Sequence, residues 1–286
     1  MTSPLKPEAI ARSFLDACLA ELEALKPGNV HRHGEGHRMR VADFVASAEA
    51  AAPLIGQKGL PVGKRIRLAV EATRRAVGQN TNLGIVLLSA PLAQAALDKR
   101  PGDLGSRLTR ILQDLTVDDA REAYRAIRET KPGGLGEAPA HDVGSEPAIT
   151  LLEAMRAAEA RDRIAWNYAH DFADIFTLGL KWLAHALQRW GNTPWAAARV
   201  YLGFLAHVPD TLIERKFGER IAARVREEAR PIESSLAECQ SPEAMTAPLI
   251  SFDRALKERG LNPGTSADLT VATLFAAALI ALEGAE

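Results

Sequence analysis

One apolar run constrains this fold more than any other stretch: Ile85-Val86-Leu87-Leu88-Ser89-Ala90-Pro91-Leu92. A run of this kind is either a buried strand or a buried helix. Nothing else in the chain reads as a partner strand, so the run is expected to be helical, with Asn80 or Thr81 as N-cap. The rest of the sequence agrees. From Pro7 to Leu25 apolar residues fall at helical spacing, at Ile10, Phe14, Leu15, Cys18, Leu19, Leu22 and Leu25. Similar patterns predict helices over 41–55, from Pro61, over 104–115, 117–127 and 151–160, and one long aromatic-bearing helix over 163–190. Pro194 starts a helix running to about residue 205. The next is expected to run from Asp210 or Thr211 to Glu228, with Pro231 breaking it, and another from Pro242 to about Arg259. The last helix follows Asn262-Pro263-Gly264, with Thr265 or Ser266 as N-cap and Asp268 in its first turn. The expectation is an all-α protein, a single compact domain over 1–286 with about ten to thirteen helices.

Composition narrows the function classes. Alanine is abundant and aromatics make up 5%, which favours close-packed helices over a sandwich or barrel. Thirty-five Lys and Arg stand against thirty-six Asp and Glu, without the basic excess of a nucleic-acid binder. Cys18 and Cys239 form no disulfide framework and suit a reducing compartment. The N-terminus has no apolar segment after a basic start, as a signal peptide would. The run Leu269 to Leu282 is shorter than the ~20 residues of a membrane span and reads as a core helix. These features point to a cytoplasmic protein with no membrane partner; apolar helix faces leave room for a homodimer, with no stretch marking an interface.

The chemistry is concentrated in polar loops. Leu25 to His37 holds three of the seven histidines (His31, His33, His37), with Lys26, Arg32, Gly28, Gly34 and Gly36. It suits ligand binding or a solvated connection. In Gly78-Gln79-Asn80-Thr81-Asn82-Leu83-Gly84 short polar residues lead into a helix N-terminus, a place that suits an anion as well as a simple cap. Lys131 to Gly144 is long, charged and glycine-rich, a possible lid, and lacks the Gly-Lys-Ser/Thr close of a Walker A loop. Asp210-Thr211 with Arg215 and Lys216 gathers an acid, a hydroxyl and two bases. The basic residues Lys64, Arg65, Arg67, Arg74 and Arg75 read as a solvated helix face in preference to a phosphate site. Asp171 and Asp174, three apart on one helix, share a side and read as solvated, with a metal or substrate role as the other possibility.

Four of these segments together resemble the triphosphoribosyl-dephospho-CoA synthase family: Lys26-Pro27-Gly28-Asn29-Val30, Asn80-Thr81 with Gly84, Asp210-Thr211 with Arg215 and Gly218, and Pro263-Gly264-Thr265-Ser266-Ala267-Asp268-Leu269. Their order and spacing agree from about residue 8 to residue 280. The resemblance implies an all-helical transferase that displaces adenine from ATP and joins the triphosphoribosyl group to a ribose hydroxyl of 3′-dephospho-CoA.

Such a reaction builds positive charge on the ribose carbon, as in glycoside cleavage, and a carboxylate both stabilises it and accepts the attacking hydroxyl's proton. The triphosphate calls for Mg²⁺ on hard oxygen ligands, with Lys and Arg beside it. On this basis Asp210 and Asp268 are the expected catalytic acids and metal ligands, and His37 a proton-transfer residue. Lys26, Arg215 and Lys216 are the expected phosphate contacts, Asn80 and Thr81 hold phosphate or ribose, and Gly28, Asn29 and Ser266 complete the substrate-binding set. The chain departs from the family pattern at Met39, Asn82-Leu83 and Leu212, where better-known members carry an acid, His-Lys and Asn, and in the loop Gly133 to Asp142. In this it is similar to members from archaea and from bacteria that use methanopterin-type carriers. The alternatives are therefore a phosphoribosyl transferase with another acceptor in methanopterin-type coenzyme biosynthesis, an inactive nucleotide-binding relative, or a metal hydrolase using His31, His33 and His37.

Overall fold

The computed structural model describes residues 5–136 and 140–285. Positions 137–139 of the candidate lid loop lie outside the described residues. Among those described the protein is all-α. Its helices are α1 (Pro7–Glu23), α2 (Val41–Gly56), α3 (Val62–Val77), α4 (Leu83–Leu97), α5 (Leu104–Gln113), α6 (Val117–Thr130), α7 (Leu151–Ala158), α8 (Arg163–Ala169), α9 (Leu180–Trp190), α10 (Thr193–His207), α11 (Thr211–Phe217), α12 (Glu219–Glu238), α13 (Thr246–Glu258) and α14 (Gly264–Ala285). A π-helical segment, Asp174–Gly179, precedes α9, and a 3₁₀ turn, Pro242–Met245, precedes α13. The α-helices number fourteen, one above the expected range, because two stretches expected to be continuous are divided.

The apolar run at Ile85 becomes α4, buried on nearly every side. A helix that is apolar all round has to sit inside the bundle, and α4 packs there against α3, α5 and α14. The last helix is the other interior rod, in contact with α1, α4 and α10. Its stretch Gly264–Gly284 is long and apolar enough to cross a membrane, which corrects the reading of Leu269 to Leu282 as too short. With 67% of its apolar window buried inside the fold, it is accounted for as a core helix. A second apolar cluster joins α10, α12 and α13, through Leu202, Leu205, Val225, Leu249 and Leu256.

Several local expectations are corrected. The helix expected over 163–190 breaks after Ala169: Asp171 and Phe172 take φ of 50° and 59°, and the chain restarts as the π-helical segment. Phe172 is thereby driven fully into the core. The break removes the premise that Asp171 and Asp174 share a helix face. Asp171 is exposed, whereas Asp174 is buried and grips Arg163 through both carboxylate oxygens at 2.7 and 2.8 Å. The helix after Asp210 stops at Gly218, whose φ of 87° suits glycine. Pro231 does not break α12; the buried stripe Ala222, Val225, Ala229 and Leu236 carries the helix through it. Thr265 and Ser266 lie inside α14, which begins at Gly264. Arg65 is not on a solvated face. It is fully buried, and its guanidinium donates to the carbonyls of Ile55 (2.6 Å), Gln57 (2.8 Å) and Leu60 (3.1 Å) and to Gln94 (2.7 Å), closing the C-terminal end of α2.

Candidate active site

The four motif segments, far apart in sequence, meet at one place. Gly28 (φ 83°) lies against Pro263 and Leu256 so closely that a Cβ there would stand 2.8 Å from the Pro263 ring. Asn29 Nδ2 donates to Asn262 Oδ1 at 2.8 Å, tying the first motif to the last. Asp210 is the N-cap of α11, accepting from Ile213 N–H with one oxygen. Its other oxygen accepts from both the N–H (2.8 Å) and the hydroxyl of Ser266 (2.9 Å). One carboxylate thus satisfies donors at the N-terminal ends of two helices, α11 and α14. Leu212 N–H donates to Thr265 Oγ1 at 3.1 Å, so the third and fourth motifs interlock. Asn80 Oδ1 accepts from Leu83 N–H at 3.2 Å, and Thr81 Oγ1 bonds Ser47 Oγ at 2.5 Å, fixing the second motif at the start of α4.

Between these segments lies a cavity of about 380 Å³, within the range of small-molecule sites. Asn29, Asn80, Thr81, Arg215, Lys216 and Asp268 line it, and with them come Glu21, Asp162, Arg161, Lys131, Asn82 and Asn262. Its apolar wall includes Leu83, Ile127, Leu151, Met155, Ile164 and Leu212.

Asp268 is the singular group. It projects from the first turns of α14 to the cavity wall, and a Cβ on Gly84 would stand 2.0 Å from its Oδ2. Only a glycine at the start of α4 leaves room for this carboxylate. No hydrogen bond or ion pair holds it among the described residues. Burial raises its pKa well above the ordinary carboxylate range, reinforced by the charges of Asp210, Glu21 and Asp162 and opposed by Arg215. Asp210 is also raised by burial, although its hydrogen bonds to Ser266 and Ile213 pull the other way. Arg215 Nη1 reaches Asp162 Oδ2 at 2.5 Å, while Asp162 Oδ1 caps α8.

The remaining expected site residues support the cavity without lining it. Lys26 is 1% exposed; its ammonium is bound to Glu21 and, at 3.2 Å, to Asn29 Oδ1, so it is spent inside the protein. His37 Nε2 lies 2.7 Å from the Gly28 carbonyl and braces the loop. Ser266 and Asp210 face each other behind the cavity. His31 faces Asp253 at 3.3 Å, Gly28 N–H donates to the same carboxylate, and Lys257 donates to the Gly34 carbonyl, pinning the loop to α13. Among the described residues no three His, Cys, Asp or Glu side chains form a metal-binding group, which removes the support for a His31, His33 and His37 metal site.

Two acids here were not singled out from the sequence. Glu21 carries a usable signal: it interrupts the buried stripe of α1, between Cys18 and Leu22, where an acid demands a partner. Asp162 is visible only as a cap candidate before α8, and nothing local points it at Arg215.

The cavity thus gathers the acids Glu21, Asp162 and Asp268 with the bases Lys131, Arg161, Arg215 and Lys216 in an all-α frame. Residues 7–286 match the family of ATP:dephospho-CoA triphosphoribosyl transferases (CitG). A solved structure from Archaeoglobus fulgidus, assigned as a triphosphoribosyl-dephospho-CoA synthase, is similar at 25% identity with a TM-score of 0.64, over 84% of this chain and 99% of that one. No match was found among curated proteins. The chain belongs to the ATP:dephospho-CoA triphosphoribosyl transferase family and is an enzyme of that class.

Proposed function

We propose that this enzyme breaks the bond between adenine and ribose in ATP and joins the triphosphoribosyl group to a hydroxyl of 3′-dephospho-CoA. The observation that carries the reading is the unpaired Asp268 carboxyl, set among four motif loops in a cavity that also holds Arg215, Lys216, Arg161 and Lys131. Asp268 faces the reacting ribose carbon, stabilises its developing positive charge and accepts the proton of the attacking hydroxyl. Its raised pKa makes it a stronger base than an ordinary carboxylate. Adenine leaves with the electron pair of the glycosidic bond and takes up a proton from solvent, and Asp268 returns the hydroxyl's proton to solvent, so bonds and protons balance. Arg215 and Lys216 hold the phosphates, and Asn80 and Thr81 orient phosphate or ribose. Asp210 acts through Ser266 and the two helix starts as a positioning residue.

The donor chemistry fits Mg²⁺. Asp268 would offer the ion one oxygen, its other oxygen remaining the base, and an ion held by one or two carboxylates plus substrate phosphates needs no preassembled protein cage. Bound there, Mg²⁺ would neutralise triphosphate charge.

A second reading keeps this donor and changes the acceptor to an intermediate of methanopterin-type coenzyme biosynthesis. It is favoured by Leu83 and Leu212, two departures from the family pattern that both form cavity wall. Adenine release from ATP and Mg²⁺, followed by chromatography with and without dephospho-CoA, tests both. Release that needs dephospho-CoA and yields an adduct of matching mass supports the first reading. ATP binding without release overturns it and leaves the second acceptor or an inactive binder.

A further inference from the structure

Glu21 is not accounted for by the transfer chemistry above. It is 3% exposed and is among the residues that line the cavity. Its Oε1 holds the Lys26 ammonium. No hydrogen bond from another side chain or backbone group reaches its Oε2 among the described residues. Lys26 also reaches Asn29 Oδ1, and Asn29 Nδ2 reaches Asn262 Oδ1, so one buried chain of hydrogen bonds runs from α1 to the start of α14. The chain ends at the Asn262 amide, whose Nδ2 donors are likewise uncommitted in the described structure and which also lines the cavity. The cavity lining therefore includes a carboxylate, Glu21, and a carboxamide, Asn262, each held on one side by this chain through Oε1 and Oδ1.

The chemistry of that pair selects its ligand. Phosphate is repelled by a carboxylate and belongs with Arg215 and Lys216. A divalent cation is better served by Asp268, because the Glu21 charge is already balanced by Lys26. A hydroxyl group both donates and accepts, so it suits a carboxylate and a carboxamide alike, and a sugar diol offers two of them. We propose that Glu21, with Asn262, is a specificity-determining subsite that binds the hydroxyls of a ribose and distinguishes ribose from deoxyribose. The assignment rests on the functional reading above, in which both the donor and the acceptor carry a ribose. The rigid Glu21–Lys26–Asn29 chain matters because an unpaired acceptor rejects a ligand lacking the hydroxyl far better than an apolar pocket rejects an added one.

The test is binding of ATP, 2′-deoxy-ATP, 3′-deoxy-ATP and dephospho-CoA to the full-length wild type, measured by calorimetry with Mg²⁺ present. The same series is run on Glu21→Gln and on the double variant Glu21→Gln/Lys26→Met, which avoids leaving an unpaired buried ammonium if the single variant unfolds; thermal melts establish that each is folded. Wild type is expected to bind one deoxy-ATP about tenfold or more weakly than ATP, the size of one hydrogen bond to a charged group. The folded variant is expected to bind ATP and that analogue alike. Retained nucleotide discrimination with dephospho-CoA weakened by a similar factor would assign the subsite to the acceptor's ribose. Unchanged discrimination and unchanged dephospho-CoA binding in a folded variant overturn the proposal while ATP binding itself leaves the functional reading standing. A folded wild type that binds neither ATP nor dephospho-CoA overturns both.

Discussion

The floor and the rim of the cavity solve opposite problems. On the floor Glu21 and Asn29, and directly behind it Lys26, Asp210 and Ser266, are buried, and each is held by a named hydrogen bond. At the rim, Lys131, Arg161 and Lys216 are exposed, on loop and helix-end positions. A buried charge is tolerated only with a partner, so the floor is built from interlocking motifs in which each residue limits what its neighbours can be. The rim charges remain solvated and cost the fold little. Asp268 breaks the rule of the floor, since among the described residues no hydrogen bond or ion pair holds its carboxylate, and the proposed chemistry is placed on that exception.

If the contrast holds, Asp268→Asn gives the largest effect: adenine release falls by about a thousandfold or more, the scale of lost proton transfer plus charge stabilisation. The same variant should be no less stable than wild type. Because the folded pKa of Asp268 lies above its unfolded value, the folded state holds more protons between the two. Wild-type stability therefore falls as pH rises from about 4, the unfolded value, through the folded pKa. Melting curves of wild type and variant should coincide at the acid end and diverge in the variant's favour above it. A variant that melts lower at neutral pH would mean that Asp268 is a paired structural acid after all. In turnover, the acid limb of the wild-type pH profile should sit above the ordinary carboxylate range, since Asp268 has to be ionised to accept a proton.

Gly84→Ala comes next. Its new Cβ would stand 2.0 Å from the Asp268 carboxylate. A displacement of about 1 Å is enough for a hundredfold loss of kcat, and steady-state kinetics on folded protein checks this. Near-normal turnover would show that the carboxylate is free to move. Asp210→Ala sharpens the comparison from the structural side. Loss of caps on two helices should lower stability by about 2 kcal/mol, at about 1 kcal/mol per cap, measurable by urea unfolding. Asp210→Asn, which keeps an acceptor, should recover part of that loss. The smallest effect is expected for Lys216→Ala at the rim: a several-fold rise in KM for ATP, shrinking at high salt, with unchanged melting temperature. A large stability loss in that variant would erase the distinction between rim and floor.

The all-α class was legible because helical periodicity and the lack of a partner strand are properties of the chain taken locally. The motif loops were legible as polar, glycine-bearing interruptions of that pattern, and Asp268 was marked by its place in one of them. The local sequence also fixed which turns are possible at Gly28 and Gly218, whose backbones occupy the left-handed region. Tertiary structure alone decided which polar groups are spent on the fold and which remain for a ligand. Lys26 and Asp210 have the residue types of a phosphate contact and a metal ligand, yet their charges are consumed by Glu21 and by the starts of α11 and α14. Arg65 lies in a run of basic residues and is nevertheless buried against the end of α2. A side chain's type sets what it is able to bond, whereas its actual partners come from elements up to hundreds of positions away, and only the packed chain brings them within hydrogen-bonding distance.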